Sequence, residues 1–164
     1  MSVRAFILFL FNQLPVSSWF AMNRWLLARA GLSIGKEVRV LSTTRFRTAG
    51  AISIGDETWI GDEVMIIGGA AEVRIGAKCD LAPRVTIVTG THKIIAGQDK
   101  AAGEGYSEPV VIGNGCWIGA GATLLHGTEI GECSVVAAGA VAKGKYPPRV
   151  ILAGVPATIK SSIG

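Results

Sequence analysis

The sequence predicts an all-β protein, a parallel β-helix of six-residue repeats with an α-helical segment before it and a short tail after it. Every sixth residue in one long stretch is apolar: Ile112, Ile118, Leu124, Ile130, Val136 and Ala142. Four positions after each of the first five lies a small residue: Cys116, Ala122, Thr128, Ser134 and Ala140. A period of six matches neither an α-helix nor a single β-strand. It is typical of stacked coils of short strands, where one side chain per hexapeptide enters a narrow core and a small one fits the corner.

The composition favours one globular, turn-rich β domain. Of the 164 residues, 49% are hydrophobic and 17% are charged, and 22 are glycine. No apolar run approaches the ~18 residues that span a membrane. The net charge of +4 is small, which favours an acidic small ligand or a weak attraction to a membrane surface and argues against a nucleic-acid partner. The three cysteines form no CxxC pair, so we expect free thiols and a cytoplasmic location.

Residues 1–31 differ from the rest of the chain and are predicted to be an N-terminal helical segment. Residues 5–11 are all apolar, Pro15 interrupts the segment, and Gly31 lies where a helix commonly ends. Two roles stay open. The helices could cover the open end of the β-helix or pack between subunits, or the aromatic side chains of residues 3–30 could anchor the protein peripherally at the inner membrane.

The repeat covers most of residues 34–142, and we assign the β-helix to residues 32–146. Its phase slips by two residues before Ile54 and by three around Gly68 and Gly69, which corners tolerate because an extra residue there bulges outward. Residues 147–164 are predicted to be a tail. Its paired prolines, Pro147 and Pro148, are expected to end the solenoid, since proline donates no backbone hydrogen bond.

One interval, residues 88–109, breaks the repeat. It is polar, contains several glycines and holds His92, one of two histidines in the chain. A loop of this length inside a periodic solenoid is more often functional than accidental. We therefore expect the chemistry of the protein here.

Three segments resemble the hexapeptide-repeat acyltransferases: residues 109–122, the Thr-Gly-Thr-His sequence at 89–92, and Ala-Gly-Val-Pro-Ala at 153–157. The 89–92 segment resembles the loop that holds the catalytic histidine in maltose and galactoside acetyltransferases, and more closely that of the exopolysaccharide and O-antigen O-acetyltransferases. The resemblance covers roughly residues 34–160. It implies a left-handed β-helix, a homotrimer with active sites between subunits, and acetyl-CoA as the co-substrate without a metal. It implies transfer to a hydroxyl or an amine, and we expect the acceptor to be a sugar or a lipid-linked saccharide.

The resemblance makes His92 the general base. The attacking hydroxyl must lose its proton, and histidine, with a reference pKa of ~6.5, can accept it near neutral pH. It also implies that six residues bind acetyl-CoA: Trp117, Gly119, Ala120, Ala138, Lys143 and Lys160. For Trp117, a role in the core or at a trimer interface is an equal alternative. The family commonly has a basic residue at the position of Thr158. In this chain, Lys160 is therefore expected to be the phosphate ligand instead. Asp62 falls near a position that contacts the acceptor.

Two other functions remain as alternatives. The Leu-His-Gly sequence around His126 resembles a segment that supplies a metal-binding histidine in the γ-class carbonic anhydrases. Those sites need three histidines and this chain has two, so a metal hydratase is disfavoured and His126 is expected on a strand surface. The second alternative is a non-catalytic scaffold, which would keep the repeat but not the loop that contains His92.

Overall fold

The structure, a computed structural model, describes residues 2–97 and 99–164. Two helices, α1 (Val3–Phe11) and α2 (Phe20–Arg29), precede six coils of a parallel β-helix, as predicted. Each complete coil has one strand on each of three faces. Face A contains β1 (Ser33–Ile34), β4 (Ile52–Ile54), β7 (Val73–Ile75), β12 (Val110–Ile112), β15 (Glu129–Ile130) and β18 (Lys145–Tyr146).

Face B contains β2 (Arg39–Val40), β5 (Trp59–Ile60), β8 (Asp80–Leu81), β13 (Trp117–Ile118), β16 (Val135–Val136) and β19 (Val150–Gly154), with β20 (Ala157–Ser162) beyond β19. Face C contains β3 (Arg45–Arg47), β6 (Met65–Ile67), β9 (Thr86–Val88), β14 (Thr123–Leu124) and β17 (Val141–Ala142). Between β9 and β12 the chain forms an antiparallel hairpin of β10 (Gly90–Ile94) and β11 (Ala102–Ser107).

The side chains predicted to point inward form the core. All six apolar residues of the 112–142 stretch are at most 2% exposed. They stack in register between coils, so that Leu81, Ile118 and Val136 follow one another on face B. Burying each such side chain contributes about 1.5–3 kcal/mol. The stacking explains the strict spacing, because a strand that shifted by one residue would turn its inward side chain to solvent.

The small corner residues also connect the coils. The Thr128 hydroxyl donates to the Ala142 carbonyl at 3.0 Å, and the Cys116 thiol donates to the Gly131 carbonyl at 3.2 Å. These bonds add side-chain connections between neighbouring coils to those of the backbone ladder, in which the Ala142 carbonyl also accepts from the Leu125 N–H at 2.9 Å. Cys79 and Cys116 are buried and Cys133 is exposed, and all three are free thiols, as expected from the sequence.

The two helices cover the open end of the first coil, which is one of the arrangements expected for them. Phe11 is fully buried and its ring lies 6.2 Å from that of Phe46. The side-chain amides of Asn12 and Asn23 donate to the Thr44 and Val40 carbonyls, each at 2.9 Å. Those carbonyls have no preceding coil to accept from, so the helices replace it. Neither of these helices is long and apolar enough to cross a membrane.

The paired prolines do not end the solenoid, contrary to the prediction. Strand β19 pairs in parallel with β16, which places Leu152 beside Val136 on face B. Pro147 and Pro148 lie in the corner before β19, where the missing N–H interrupts no ladder. The tail folds back only after β19, when β20 pairs with it in the antiparallel sense.

The connections between faces differ sharply. Inward residues are always six apart where the chain turns from face A to B or from B to C, at the AB and BC edges. Every departure from six falls at the CA edge, where the chain passes from face C to the next coil. The two predicted phase slips and the 88–109 interval all lie there.

Candidate active site

The interval around His92 is an ordered hairpin on the CA edge. In it, Thr91 lies opposite Tyr106 and His92 lies opposite Gly105. The break in the repeat was predicted, but the two strands were not, because their polar and glycine-rich sequence lacks the alternation of apolar residues that marks a half-buried strand. His92 lies on an exposed strand of this hairpin, away from the core.

The backbone of the hairpin fixes the tautomer of His92. Its Nδ1 lies 2.9 Å from the carbonyl oxygen of Gly103. A carbonyl can only accept, so a neutral His92 carries its hydrogen on Nδ1 and keeps a lone pair on Nε2. That arrangement orients the imidazole and leaves Nε2 able to accept a proton.

His92 borders an open hollow of about 440 Å³ between the hairpin and the preceding corner. Its walls include Gly69, Ala70, Thr91, Tyr106 and Ser107. The Ser107 hydroxyl accepts from the Ala71 N–H at 3.1 Å and ties the hairpin to that corner. A side chain at Gly69 would collide with Ser107, because an added Cβ would lie 2.8 Å from its hydroxyl.

A second histidine supports the base of the hairpin. His126 Nδ1 and Glu108 Oε2 are 2.6 Å apart, and His126 is 7% exposed. Its ring packs edge-on against Tyr106, with 5.7 Å between the ring centres. The expectation that His126 lies on a strand surface is wrong: it lies in the turn after β14, which the hairpin covers. Within residues 2–97 and 99–164, no group of three or more His, Cys, Asp or Glu side chains could hold a metal ion.

Four of the other predicted site residues lie on the BC edge. Gly119, Ala120 and Ala138 form adjacent corners, where Gly139 N–H donates to the Ala120 carbonyl at 2.9 Å. An added Cβ on Gly119 would lie 2.5 Å from the Ala138 nitrogen, so the corners need glycine to stack. Asp62 lies on the same edge nearer the N-terminus, where it accepts from the Thr43 hydroxyl at 2.6 Å.

The remaining three lie elsewhere. Trp117 points outward from face B with 56% of its surface exposed, and Lys160 is exposed on β20. Lys143 is exposed on the CA edge, beyond the hairpin. Face C separates His92 from the BC-edge residues. One chain therefore does not bring the predicted base together with most of the predicted acetyl-CoA ligands.

The fold defines the class of protein: a hexapeptide-repeat β-helix with a hairpin inserted between two of its coils. The model of the family "Bacterial transferase hexapeptide (six repeats)" matches residues 109–144. A candidate acetyltransferase of Saccharomyces cerevisiae is 38% identical over 66% of this chain and 54% of its own. Galactoside O-acetyltransferase of Escherichia coli K12 is 32% identical over 77% and 62%, respectively. A candidate colanic acid biosynthesis acetyltransferase of E. coli K12, WcaF, is 28% identical over 90% and 87%.

Two solved structures have a similar fold over almost the whole of this chain. A galactoside acetyltransferase in complex with coenzyme A has a TM-score of 0.83 and 26% identity, over 98% of this chain and 79% of that one. A Vibrio cholerae hexapeptide-repeat acetyltransferase with acetyl coenzyme A has a TM-score of 0.83 and 27% identity, over 98% and 85%. This chain resembles the hexapeptide-repeat acetyltransferases in sequence and has their left-handed β-helix. It spans little more than half of the length of the first relative above and 62% of the second.

Proposed function

We propose that this protein transfers the acetyl group of acetyl-CoA to a hydroxyl of a sugar or saccharide, with His92 as the general base. The observation that carries the proposal is the orientation of His92, whose Nδ1 is engaged by the Gly103 carbonyl at 2.9 Å while Nε2 stays available beside an open hollow. Relatives named as acetyltransferases, and similar structures that hold coenzyme A or acetyl coenzyme A, support acetyl-CoA as the donor.

In the proposed reaction, Nε2 of His92 accepts the proton of the acceptor hydroxyl as its oxygen attacks the thioester carbonyl carbon. The tetrahedral intermediate then collapses, the carbon–sulfur bond breaks, and the imidazolium returns the proton to the departing CoA thiolate. A positioned base of this kind contributes about 10²–10⁴ in rate. The Gly103 carbonyl stabilises the imidazolium by accepting from its Nδ1–H throughout.

We infer that a complete site joins the CA edge of one protomer to the BC edge of the next, in a homotrimer. Face C separates the two edges within one chain, so a site within one chain would leave His92 far from Gly119, Ala120 and Ala138. A cyclic assembly with head-to-tail interfaces brings unlike edges together at every interface. In this arrangement Trp117, Lys143 and Lys160 contact the rest of acetyl-CoA, and Asp62 contacts the acceptor.

We place this reaction in the cytoplasm, with the protein peripheral at the inner membrane. The three free thiols support a reducing compartment. The exposed aromatic side chains on α1 and α2 support a peripheral contact. The acceptor is then a soluble sugar or a saccharide carried by a lipid.

The test is release of free thiol from acetyl-CoA in the presence of a panel of sugars. His92→Ala should lower kcat by about 10²–10⁴ while light scattering shows an unchanged oligomer. Lys93→Ala is the matched control, because Lys93 neighbours His92 on β10 but pairs with Glu104 in solvent. Near-wild-type turnover by His92→Ala would overturn the base assignment. A chain that does not bind acetyl-CoA would favour the scaffold alternative.

Subunit mixing tests the shared site separately. His92→Ala removes the base, and Ala138→Arg should block the exposed BC corner of the proposed donor site. Trimers can be reassembled from equal amounts of the two inactive variants. If the base and the donor corner come from different protomers, about one quarter of all sites in these trimers should be intact. Mixed trimers that remain inactive would show that both residues act within one chain.

A further inference from the structure

A basic cleft of about 510 Å³ lies between α1 and β3 at the N-terminal end of the solenoid. Its walls combine three arginines with apolar side chains: Arg4, Leu8, Phe9, Arg45, Phe46 and Arg47. Among the described residues, no carboxylate lines it. Within the described part of the chain, none of the three arginines forms an ion pair. Like charges gathered without a carboxylate repel one another, so the cleft is suited to an anion.

One of these arginines is fixed before any ligand binds. The Arg45 guanidinium donates to the backbone carbonyls of Thr43 at 3.0 Å and Ser42 at 3.4 Å. Two of its N–H donors are used and the others remain available. Guanidinium groups match the geometry of phosphate oxygens, and a fixed one loses little conformational entropy on binding. The charge and the donor geometry therefore favour a phosphate group.

The surroundings of the cleft favour a lipid as the source of that phosphate. Beside it, α1 exposes Val3, Phe6, Phe9 and Leu10, between 39% and 76% each. Residues 1–47 hold seven of the 16 basic residues but one of the 12 acidic residues, a net charge of +6 against −2 for the rest of the chain. A surface that is both apolar and cationic complements an anionic bilayer, which offers acyl chains and phosphates together.

One hydrogen bond connects the wall of the cleft to the wall of the hollow beside His92. Thr48 closes the cleft at the CA edge, and its hydroxyl donates at 2.6 Å to the carbonyl of Gly69, which lines the hollow. Successive coils are about 4.8 Å apart, so a phosphate beside the first coil and a hollow beside the third are separated by roughly 10 Å along the axis of the solenoid. That distance suits a sugar attached to the phosphate.

We propose that the cleft binds the phosphate of a membrane lipid, with the lipid chain against the exposed side of α1. We further infer that the acceptor is a saccharide carried on such a lipid phosphate, whose hydroxyl reaches His92. The first statement is independent of catalysis, whereas the second rests on the proposed acetyl transfer.

Vesicle binding by the full chain tests the first statement. The protein should sediment with vesicles of phosphatidylcholine and phosphatidylglycerol and not with phosphatidylcholine alone. The double variant Arg4→Ala, Arg47→Ala should bind at least roughly tenfold more weakly. The matched control, Arg29→Ala with Lys36→Ala, removes the same charge from the same end outside the cleft. Equal losses in both double variants would overturn the proposal in favour of diffuse attraction.

Competition separates a lipid phosphate from a free one. Inorganic phosphate should displace the vesicles poorly, because it lacks the contacts with α1. If it displaces them fully and also protects the folded chain against thermal unfolding, the cleft takes a free anion and the lipid assignment is wrong.

The acceptor is tested by comparing one saccharide in free form and attached to a lipid phosphate in mixed vesicles. The arginine double variant should raise KM for the lipid-linked form selectively. Equal effects on both forms would overturn the acceptor assignment. If the wild type acetylates neither form but still binds anionic vesicles through the cleft, the proposed function fails and the lipid site stands.

Discussion

Removing the carboxylate of Glu108 is expected to loosen the hairpin that carries His92 without unfolding the solenoid. Glu108 directly follows β11, and its carboxylate reaches His126 across the CA edge at 2.6 Å. His126 in turn packs edge-on against Tyr106, which lines the hollow with His92. Gly127 makes room for this contact, because a Cβ there would lie 2.7 Å from the carboxylate. The pair therefore connects the hairpin side of the site to the stacked coils.

The expected loss follows from burial. A polar group that is buried and loses its partner costs about 1–3 kcal/mol. His126 is 7% exposed, but the Glu108 side chain is 46% exposed, so water can replace part of the bond in Glu108→Ala. We expect about 1–2 kcal/mol, which raises local opening roughly 5- to 30-fold. Because most solenoid contacts are untouched, the loss should appear mainly in the hairpin.

Native-state hydrogen exchange of the β10 and β11 amides measures this opening. The control is Glu104→Ala, which breaks the pair with Lys93 on the same hairpin, where both side chains are mostly exposed. Exposed pairs contribute about 0.2–1 kcal/mol, so exchange should change little. Glu108→Gln keeps an oxygen that can accept and should recover part of the protection. Equal exchange in Glu108→Ala and Glu104→Ala would refute an anchoring role for His126.

Two further predictions test the core and the corners. Ile118, which is fully buried, should lose about 4 kcal/mol of unfolding free energy as Ile118→Ala and about 1 kcal/mol as Ile118→Val; similar losses in urea titrations would contradict the stacked core. A thiol reagent should modify Cys133 alone in the folded chain and reach Cys79 and Cys116 only on unfolding. The hydrogen bond with Cys79 and burial raise the pKa of the Cys116 thiol, which slows its reaction further; rapid modification of all three thiols in the folded chain would disprove this.

Much of the fold could be predicted because every strand of the β-helix must supply one inward side chain. The period of six in Ile112, Ile118 and Leu124 therefore indicates both where each strand lies and which of its side chains points inward. The phase slips before Ile54 and Ile75 were placed correctly for the same reason, since the core residues resume on either side of them.

The arrangement of the site could not be predicted in this way. His92 was found through a motif, but the partner of Glu108 lies 18 residues away and faces it only after the hairpin has folded across the CA edge. Likewise, the sequence shows that Pro147 and Pro148 lack an N–H, but not that they occupy a corner where no ladder needs one. These contacts depend on which corner of the solenoid each residue occupies. The six-residue period does not distinguish one corner from another, so it does not predict them.

Hydrogen bonds between the insertions give a physical reason why they all lie at one edge of the solenoid. An extra residue at a corner leaves the stacked faces intact, so any edge could accept it, but an insertion exposes backbone groups that need partners. Here, insertions on successive coils satisfy one another: Gly50 N–H donates to the Gly69 carbonyl at 3.3 Å, and Ala71 N–H donates to Ser107 Oγ at 3.1 Å. Once one coil carries an insertion, an insertion in the next coil is therefore most stable at the same edge, where the two can form hydrogen bonds. The hairpin with His92 and the threonine that closes the arginine cleft lie on one edge because each insertion supports its neighbour.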